Sequence, residues 1–316
     1  VSVTGASVEE VQEKLDAMKL DMLQGVRVKP EKMTVRDHFR EFLREKARKI
    51  QLNTLHKYEN HVENHILPAL GHLKLSELDY RHINAFFELL EAKTRKDGRP
   101  ALSRTTQTDI ARVLSMGLND AVRKGLIREN PVHKVEGPEY EEEEARYMTP
   151  EEQAAFLEAI KGERLEELYI LGLHTGLRPS ELLGLPWENV DLEQGKLRVA
   201  QALHESGSAI WIGRLKSEHS YRTISLGREA IAALKRQRVR QLQEKLKAGP
   251  KWSPPPVEKP YSGNLVFTTE TGAWLRRSTI YKYDLARVRG RSGLHNVGLH
   301  TLRHTHAASP LHMGTS

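Results

Sequence analysis

Two short segments, far apart in the chain, each place an arginine among other polar groups in an apolar setting. The first is Thr175-Gly-Leu-Arg-Pro-Ser-Glu181, which contains Arg178, and the second is His300-Thr-Leu-Arg-His304, which contains Arg303. Guanidinium groups match the oxygens of a phosphate bidentately. Two remote arginines that folding brings together therefore predict a site for one doubly contacted anion.

The residue after Arg178 is Pro179, which suits the first turn of a helix. The sequence therefore predicts that Arg178 stands at a helix N-terminus, where backbone N–H groups also favour an anion. The alternative is that Arg178 caps the helix or pairs with Glu181 for structure alone. The segment Thr-Gly-Leu-Arg by itself leaves both interpretations open.

His300 and Arg303 are three residues apart, so they share one face if their segment is helical. That spacing lets an imidazole and a guanidinium approach the same phosphate. His304 and His306 follow closely, which raises the alternative of a metal cluster. No glutamate follows His300 as it does in the His-Glu-x-x-His zinc motif, and no second source of ligands stands out. We therefore predict no metal site.

A lysine that could act as an acid lies between the two arginine segments. Residues 214–226 predict a β-hairpin with Lys216 on its mobile turn. A lysine ammonium can protonate a departing alkoxide when a phosphodiester is cleaved near neutral pH. The alternative is a solvated turn lysine without a chemical role.

Composition limits the partners and the class of protein. With 316 residues, 38% hydrophobic and 29% charged, the chain predicts an ordinary globular protein of two domains. Its formal net charge of +7 favours a polyanionic partner, most simply nucleic acid. No stretch approaches the roughly 18 apolar residues of a membrane span, so we expect no membrane partner. The absence of cysteine fits a reducing cytoplasm.

Local patterns indicate which elements must position these groups. Apolar spacing and capping residues predict helices over residues 8–23, 35–50, 52–66, 79–93 and 103–124. A turn-rich loop is predicted at 96–100. Residues 31–137 thus form a compact helical domain, and the acidic stretch 138–148 is interpreted as a linker, with a partner-binding tail as the alternative.

The domain over residues 149–316 mixes element types. Thr149, Pro150 and Glu152 predict a capped helix start. Helices are predicted over 151–161, 164–174, 179–184 and 229–247. Strands are predicted over 196–201, 208–213 and 222–225 as a small meander, with a further strand over 264–268. The fold class is therefore mainly α with a small antiparallel β-sheet.

Three segments in this order resemble the catalytic domain of the tyrosine recombinases, the phage integrase family. They are residues 174–191, 216–226 and 300–307, and their joint order is more specific than any one of them. The helical region from Met33 to Asn130 resembles that family's core-binding domain, which helps to clamp DNA. Residues 8–23 resemble the linker helix that follows an arm-site-binding domain in many phage integrases.

The resemblance implies a role for each candidate residue. Arg178 and Arg303 would bind the scissile phosphate, and Glu181 would support them. Lys216 would be the general acid for the 5′-hydroxyl leaving group, and His300 a general acid/base or a phosphate ligand. The family's nucleophile is a tyrosine that forms a 3′-phosphotyrosyl intermediate, so neither ATP nor a metal cofactor is implied.

The resemblance leaves the nucleophile unassigned. The family places its tyrosine beyond the His-x-x-Arg helix, whereas all nine tyrosines of this sequence precede His300. Tyr281 and Tyr283 are the nearest, and core packing or phosphate contact is expected for them. We therefore expect the catalytic domain to be C-terminally incomplete and the chain to be inactive alone. Residues 1–30 are expected to follow an arm-binding domain outside this sequence.

DNA contact is expected over a broad basic surface, with steeply salt-dependent binding. The residues predicted to contact DNA are Arg276, Arg277, Lys282, Arg287, Arg289 and Arg291, with Lys46, Arg48 and Arg104 in the helical domain. The implied partners are double-stranded recombination sites and a homotetramer on DNA, with directionality or host DNA-bending factors as accessory partners. The alternatives are a DNA-binding regulator that does not cleave and a recombinase that resolves chromosome or plasmid dimers.

Overall fold

The structure is a computed structural model that describes residues 33–94, 100–138 and 146–308. The chain divides into two compact units, Val1–Glu143 and Glu144–Ser316, and each has its own hydrophobic core. The expected fold class, mainly α with small antiparallel sheets, is confirmed. The helix predicted at 8–23 and most of the loop predicted at 96–100 lie outside the described residues.

The described part of the first unit is helical. Its helices are α1 (Val35–Ala47), α2 (Leu52–His61), α3 (Leu67–Leu70), α4 (Tyr80–Ala92) and α5 (Arg104–Arg123). Side-chain oxygens of Thr34, Asp79 and Ser103 accept backbone N–H bonds at the starts of α1, α4 and α5. These caps explain why the predicted and observed helix starts agree so closely.

The helix predicted over 52–66 continues one turn further than expected. A π-helical turn, Val62–Ile66, joins α2 to α3, and the helix ends at Gly71. Pro68 has no backbone N–H, so it fits near the start of α3, after the widened turn. The apolar faces of these helices enclose Phe39, Phe86 and Leu114, which are all but inaccessible to solvent.

The second unit contains seven helices within the described residues, one of them largely buried, and two small sheets. Its helices are α6 (Pro150–Ile160), α7 (Glu166–Thr175), α8 (Pro179–Leu183), α9 (Arg228–Ala248), α10 (Arg277–Thr279), α11 (Leu285–Ser292) and α12 (Leu299–Ala308). The capping box predicted at Thr149 and Glu152 is present. Met148, in the predicted linker, is buried in this unit's core and donates its N–H to Thr305 at 2.9 Å.

The strands differ from the predicted meander. Strand β2 (Lys196–Val199) lies between β1 (Val190–Asp191) and β5 (Arg222–Ser225), while β3 (Ala202–Ser206) and β4 (Ala209–Gly213) form a separate hairpin. The sequence prediction missed β3 and was wrong to pair 208–213 with 222–225.

A buried side chain lies at the break between β2 and β3. The Gln201 amide donates to the carbonyl of Gly184 at 2.9 Å, which fixes the chain between the two strands. The strand predicted over 264–268 is also wrong, because that segment makes only single bridges, at Leu265 and Thr268. No helix in the described ranges is long and apolar enough to cross a bilayer.

Candidate active site

The first arginine segment is a sharp junction between two helices. Helix α7 ends at Gly176, whose φ of +59° belongs to the left-handed region that glycine tolerates. The reversal buries Leu177 and leaves Arg178 half-exposed, immediately before α8. A Cβ atom at Gly176 would lie 2.4 Å from the His306 ring. Conformation and close approach both require glycine there.

Glu181 is the buried centre of the site. Its side chain is 2% exposed and accepts the Arg178 Nη1 at 2.8 Å and the Arg178 backbone N–H at 2.9 Å. Arg222, on β5, donates from Nη1 and Nη2 to the two carboxylate oxygens at 3.2 and 2.8 Å. Burial alone would raise the pKa of Glu181, but the hydrogen bonds from Arg222 and Arg178 outweigh it and hold the pKa below its usual range. Glu181 is therefore a carboxylate at neutral pH.

This geometry changes the expectation of an anion at the start of α8. The amide of Arg178 is already bound to Glu181, so it is not available to a ligand. The guanidinium group of Arg178, by contrast, is only partly occupied by protein contacts. Its Nη1 faces Glu181, while Nε and Nη2 make no hydrogen bond within the described part of the chain. Arg178 therefore has one edge fixed by the protein and one edge open.

Arg303 is held close to Arg178 by the packing of α12 on α7. Leu302 lies against Gly172, and His306 Nδ1 is 2.9 Å from the carbonyl oxygen of Leu173. Arg303 itself donates from Nη1 to the carbonyl of Gly176, two residues before Arg178. The structure thus brings the two predicted arginines into one place.

The charge balance at this place is positive. The pKa of Arg303 is lowered by burial and by the positive charges of Arg178 and Arg222, against the opposing charge of Glu181. Three guanidinium groups therefore lie near one carboxylate, which binds two of them directly. Such an excess of fixed cations favours a further anion, which would restore the balance.

His300 lies at the start of α12, beside a cleft of about 540 Å³. The cleft is lined by Glu205, Gly207, Arg277, Ser278, Tyr281 and His300. Burial, and then the positive charges of Arg277, His304 and Arg303, lower the pKa of His300. It is therefore neutral at pH 7, with one nitrogen able to donate and one able to accept.

His300 and His306 of α12 face different parts of the second unit. His306 is turned toward α7, and His300 faces the cleft. Among the described residues, no group of three or more histidine, aspartate or glutamate side chains is arranged to hold a metal ion.

Lys216 is not on a hairpin turn. Strands β4 and β5 belong to different sheets, and the segment between them contains a short 3₁₀ turn, Glu218–Ser220. Lys216 is exposed and makes no hydrogen bond or ion pair within the described ranges. Its segment nevertheless reaches the arginine site, because Ser220 Oγ lies 3.5 Å from Arg178 Nη1.

The predicted DNA-contact residues fall into two groups. The side chains of Arg277, and of Arg48 in the first unit, are exposed and make no hydrogen bond or ion pair within the described residues, while exposed Lys282 lies over the Tyr283 ring. The side chains of the others bind protein groups: Arg276 the carbonyl of Ser208, Arg287 and Arg291 the carboxylate of Glu163, Arg289 the carbonyl of Val297, Arg104 the carboxylate of Glu91, while Lys46 lies over the Phe42 ring.

Sequence reasoning missed one residue that shapes the site, Arg222, and the specific contact of another, Tyr281, for which core packing or phosphate contact was expected. Arg222 lies within the segment 216–226 but was not singled out, because its partner Glu181 is 41 residues away. The Tyr281 hydroxyl accepts the Leu299 N–H at 3.0 Å and so caps the helix that carries His300. Strand alternation places Arg222 and buried Leu226, four residues later, on the same side of the strand. That pattern is the signal that could have marked Arg222 as an inward-facing residue.

The fold and the site together define a class of protein: a helical unit joined to a mixed unit that carries an arginine-rich site. Comparison with known proteins makes the class specific. The phage integrase family profile matches residues 146–316, and the phage integrase SAM-like domain profile matches residues 34–137. The chain belongs to the phage integrase family and is a site-specific DNA recombinase.

Individual relatives agree with this assignment. A tyrosine recombinase XerC-like protein of Caldanaerobacter subterraneus subsp. tengcongensis is 33% identical over 277 residues, which cover 83% of this chain and 68% of that one. The Tn1549 transposon integrase, solved in complex with a circular intermediate DNA, has a TM-score of 0.73 at 21% identity, covering 90% and 88% of the two chains. A lambda integrase tetramer bound to a Holliday junction has a TM-score of 0.60 at 18% identity, covering 97% and 80%. The two structural likenesses concern the fold.

Proposed function

We propose that the protein cleaves and rejoins DNA strands by transesterification, with Arg178 and Arg303 as the ligands of the scissile phosphate. The observation that carries this proposal is the excess of cations around Glu181, with the Nε and Nη2 edge of Arg178 making no hydrogen bond to the described residues. A phosphorane transition state gathers negative charge on its equatorial oxygens. Guanidinium groups already fixed in place stabilise that charge without reorganising.

Lys216 and His300 would handle protons. A tyrosine oxygen attacks the phosphorus, the bond from phosphorus to O5′ breaks, and Lys216 gives its proton to the departing O5′. His300, neutral and beside the cleft, would donate a hydrogen bond to the phosphate or take the proton of the attacking tyrosine. The phosphotyrosyl bond conserves the energy of the phosphodiester, so the rejoining step reverses the same transfers.

The attacking tyrosine is not assigned to any of the nine tyrosines in these 316 residues. Tyr281 lines the same cleft as His300, but its hydroxyl caps α12. Moving it to a phosphate would uncap the helix that holds His300 and Arg303. We therefore propose that Tyr281 is a structural residue and that this stretch of chain does not cleave DNA by itself.

The substrate is proposed to be a double-stranded recombination site bound by four protomers. The Tn1549 and lambda integrases with this fold were solved on DNA, the latter as a tetramer on a Holliday junction. Exposed Arg48 and Arg277 are predicted contacts whose side chains can reach phosphates without breaking a hydrogen bond or ion pair within the described residues, and exposed Lys282 would have to leave only the Tyr283 ring.

A nicked suicide substrate tests the proposal. This chain and the full product of its gene are each incubated with the substrate, and covalent protein–DNA adducts are resolved by denaturing electrophoresis. The proposal expects an adduct that depends on Arg178 and Arg303 from the full gene product. Specific DNA binding without an adduct from either protein would contradict it and favour a regulator that does not cleave.

A further inference from the structure

The segment that carries Lys216 is fastened to the arginine site by its own side chains. Ser217 Oγ and Ser220 Oγ are 3.0 Å apart, which closes the turn after Lys216. Ser220 Oγ is in turn 3.5 Å from Arg178 Nη1. The serines therefore link the backbone next to the lysine with the arginine proposed to bind the phosphate.

Arg222 makes the most extensive hydrogen bonds between the Lys216 segment and the arginine site. Its Nη1 donates to the carbonyl of Ser220 at 3.0 Å, and the same guanidinium binds both oxygens of Glu181. One planar side chain thus holds the end of the Lys216 segment against a buried carboxylate. Because Glu181 also binds Arg178, the segment and the phosphate-binding arginine share a single anchor.

Lys216 itself has no such restraint. Its side chain is exposed and makes no hydrogen bond within the described ranges, so only its backbone can be positioned before DNA binds. A flexible four-carbon side chain delivers a proton efficiently only when its Cα atom lies at a fixed distance from the leaving oxygen. The anchoring of residues 217–222 holds the Lys216 backbone at such a distance.

We propose that Arg222 is a positioning residue for proton delivery: it holds the Lys216 segment on Glu181, so that phosphate binding by Arg178 and protonation by Lys216 occur in one geometry. This inference rests on the proposed function of Lys216. It predicts that loss of Arg222 impairs the departure of O5′ more than the binding of the phosphate.

Replacing the bridging O5′ by sulfur separates these two effects. When the bond from phosphorus to oxygen breaks, the alkoxide needs a proton from Lys216. When the bond from phosphorus to sulfur breaks, a thiolate leaves, which is a much weaker base and needs no acid. A defect in proton delivery therefore disappears on the sulfur substrate, whereas a defect in phosphate binding persists.

The experiment measures single-turnover cleavage of nicked substrates with oxygen or sulfur at the 5′-bridging position by the full gene product. Lys216→Ala and Arg222→Ala are each expected to be about 100-fold slower on the oxygen substrate and within a few-fold of the wild type on the sulfur substrate. The double variant should be no slower than Lys216→Ala alone. DNA affinity should be unchanged in all three.

Arg236→Ala is the matched control, because Arg236 binds buried Glu167, on α7, through Nε and Nη2 at 2.8 Å each. It should cleave both substrates at the wild-type rate. If Arg222→Ala does not fold, Arg222→Lys takes its place in the same comparison of oxygen and sulfur substrates. Lysine keeps the positive charge toward Glu181 but loses the contact with Ser220.

The outcomes distinguish the two proposals. If the Lys216 variant is rescued by sulfur and the Arg222 variant is equally slow on both substrates, Arg222 serves the phosphate site only and the positioning role is wrong. If sulfur does not rescue Lys216→Ala, the assignment of Lys216 as the acid is wrong, and the inference falls with it.

Discussion

Two buried glutamates of the second unit, Glu181 and Glu167, have nearly the same local geometry and opposite surroundings. Each side chain is 2% exposed, and each is bound by two nitrogens of one arginine: Glu181 by Arg222 and Glu167 by Arg236. Each also has a second arginine nearby, Arg178 at one and Arg240 at the other. Ion-pair geometry alone would class both as structural.

The two sites differ in the charged groups that surround each glutamate–arginine pair. The hydrogen bonds that Arg236 donates to Glu167, together with the negative charges of Glu167, Glu166 and Glu229, raise the pKa of Arg236, so its cationic form is well compensated. Arg240 directs its Nη1 to backbone carbonyls. Around Glu181 there is a third cation, Arg303, in addition to Arg178 and Arg222. Burial and the positive charges of these two arginines lower the pKa of Arg303. We therefore propose that surplus charge, rather than the ion pair itself, distinguishes an anion site from a structural link.

The largest expected effect comes from replacing arginine by lysine at both sites. Arg178→Lys and Arg303→Lys should each slow adduct formation roughly 100- to 1,000-fold, because a lysine lacks the fork that contacts two phosphate oxygens. DNA affinity should change little. Arg236→Lys should react at the wild-type rate. A loss of activity in Arg236→Lys as large as in Arg178→Lys would remove the proposed distinction.

Replacing each of the two buried glutamates is the second test of the difference between the sites. Urea denaturation measures stability, and the cleavage rate measures activity. Glu181→Gln and Glu167→Gln should each lower the free energy of unfolding by about 3 kcal/mol, the low end for breaking a buried pair, since the arginine partners are partly exposed. Only Glu181→Gln should also lose cleavage. Equal loss of cleavage in both variants would mean that the activity reports stability alone.

Local patterns in the sequence were enough to predict most helix ends and to mark both arginine segments. Caps such as Thr149 with Glu152 depend on neighbouring residues, so they can be recognised without the fold. The pairing of Glu181 with Arg222 depends on how β5 is placed beside α8, which no local pattern encodes. The predicted hairpin around Lys216 was wrong for the same reason, because β5 pairs with β2, which is distant in sequence, and not with β4.

Two left-handed glycines show whether the junction before Arg178 carries a packing constraint. Gly176→Ala should lower the free energy of unfolding by about 2 kcal/mol, because alanine is strained at positive φ and its Cβ meets the His306 ring. Gly162→Ala has the same strain with open space around it, so about 1 kcal/mol is expected. Thermal unfolding of both variants measures the difference. Equal losses would show that His306 moves aside freely.

The smallest expected effect is a pH dependence of the Glu181 site. Since the folded pKa of Glu181 is lowered, its contribution to stability is complete above the ordinary value of 4.5 and is lost as the pH falls through the folded pKa. The difference in unfolding free energy between the wild type and Glu181→Gln should therefore be constant near neutral pH and shrink in acid. A difference that grows as the pH falls below 4.5 would contradict the assignment of the carboxylate.

The most direct test of the surplus-charge account is an experimental structure of the full gene product on its recombination site. The account predicts that the scissile phosphate accepts hydrogen bonds from both Arg178 and Arg303, while Glu181 keeps its bonds to Arg178 Nη1 and to Arg222. A phosphate bound elsewhere, with the open edge of Arg178 facing only water or protein, would contradict it.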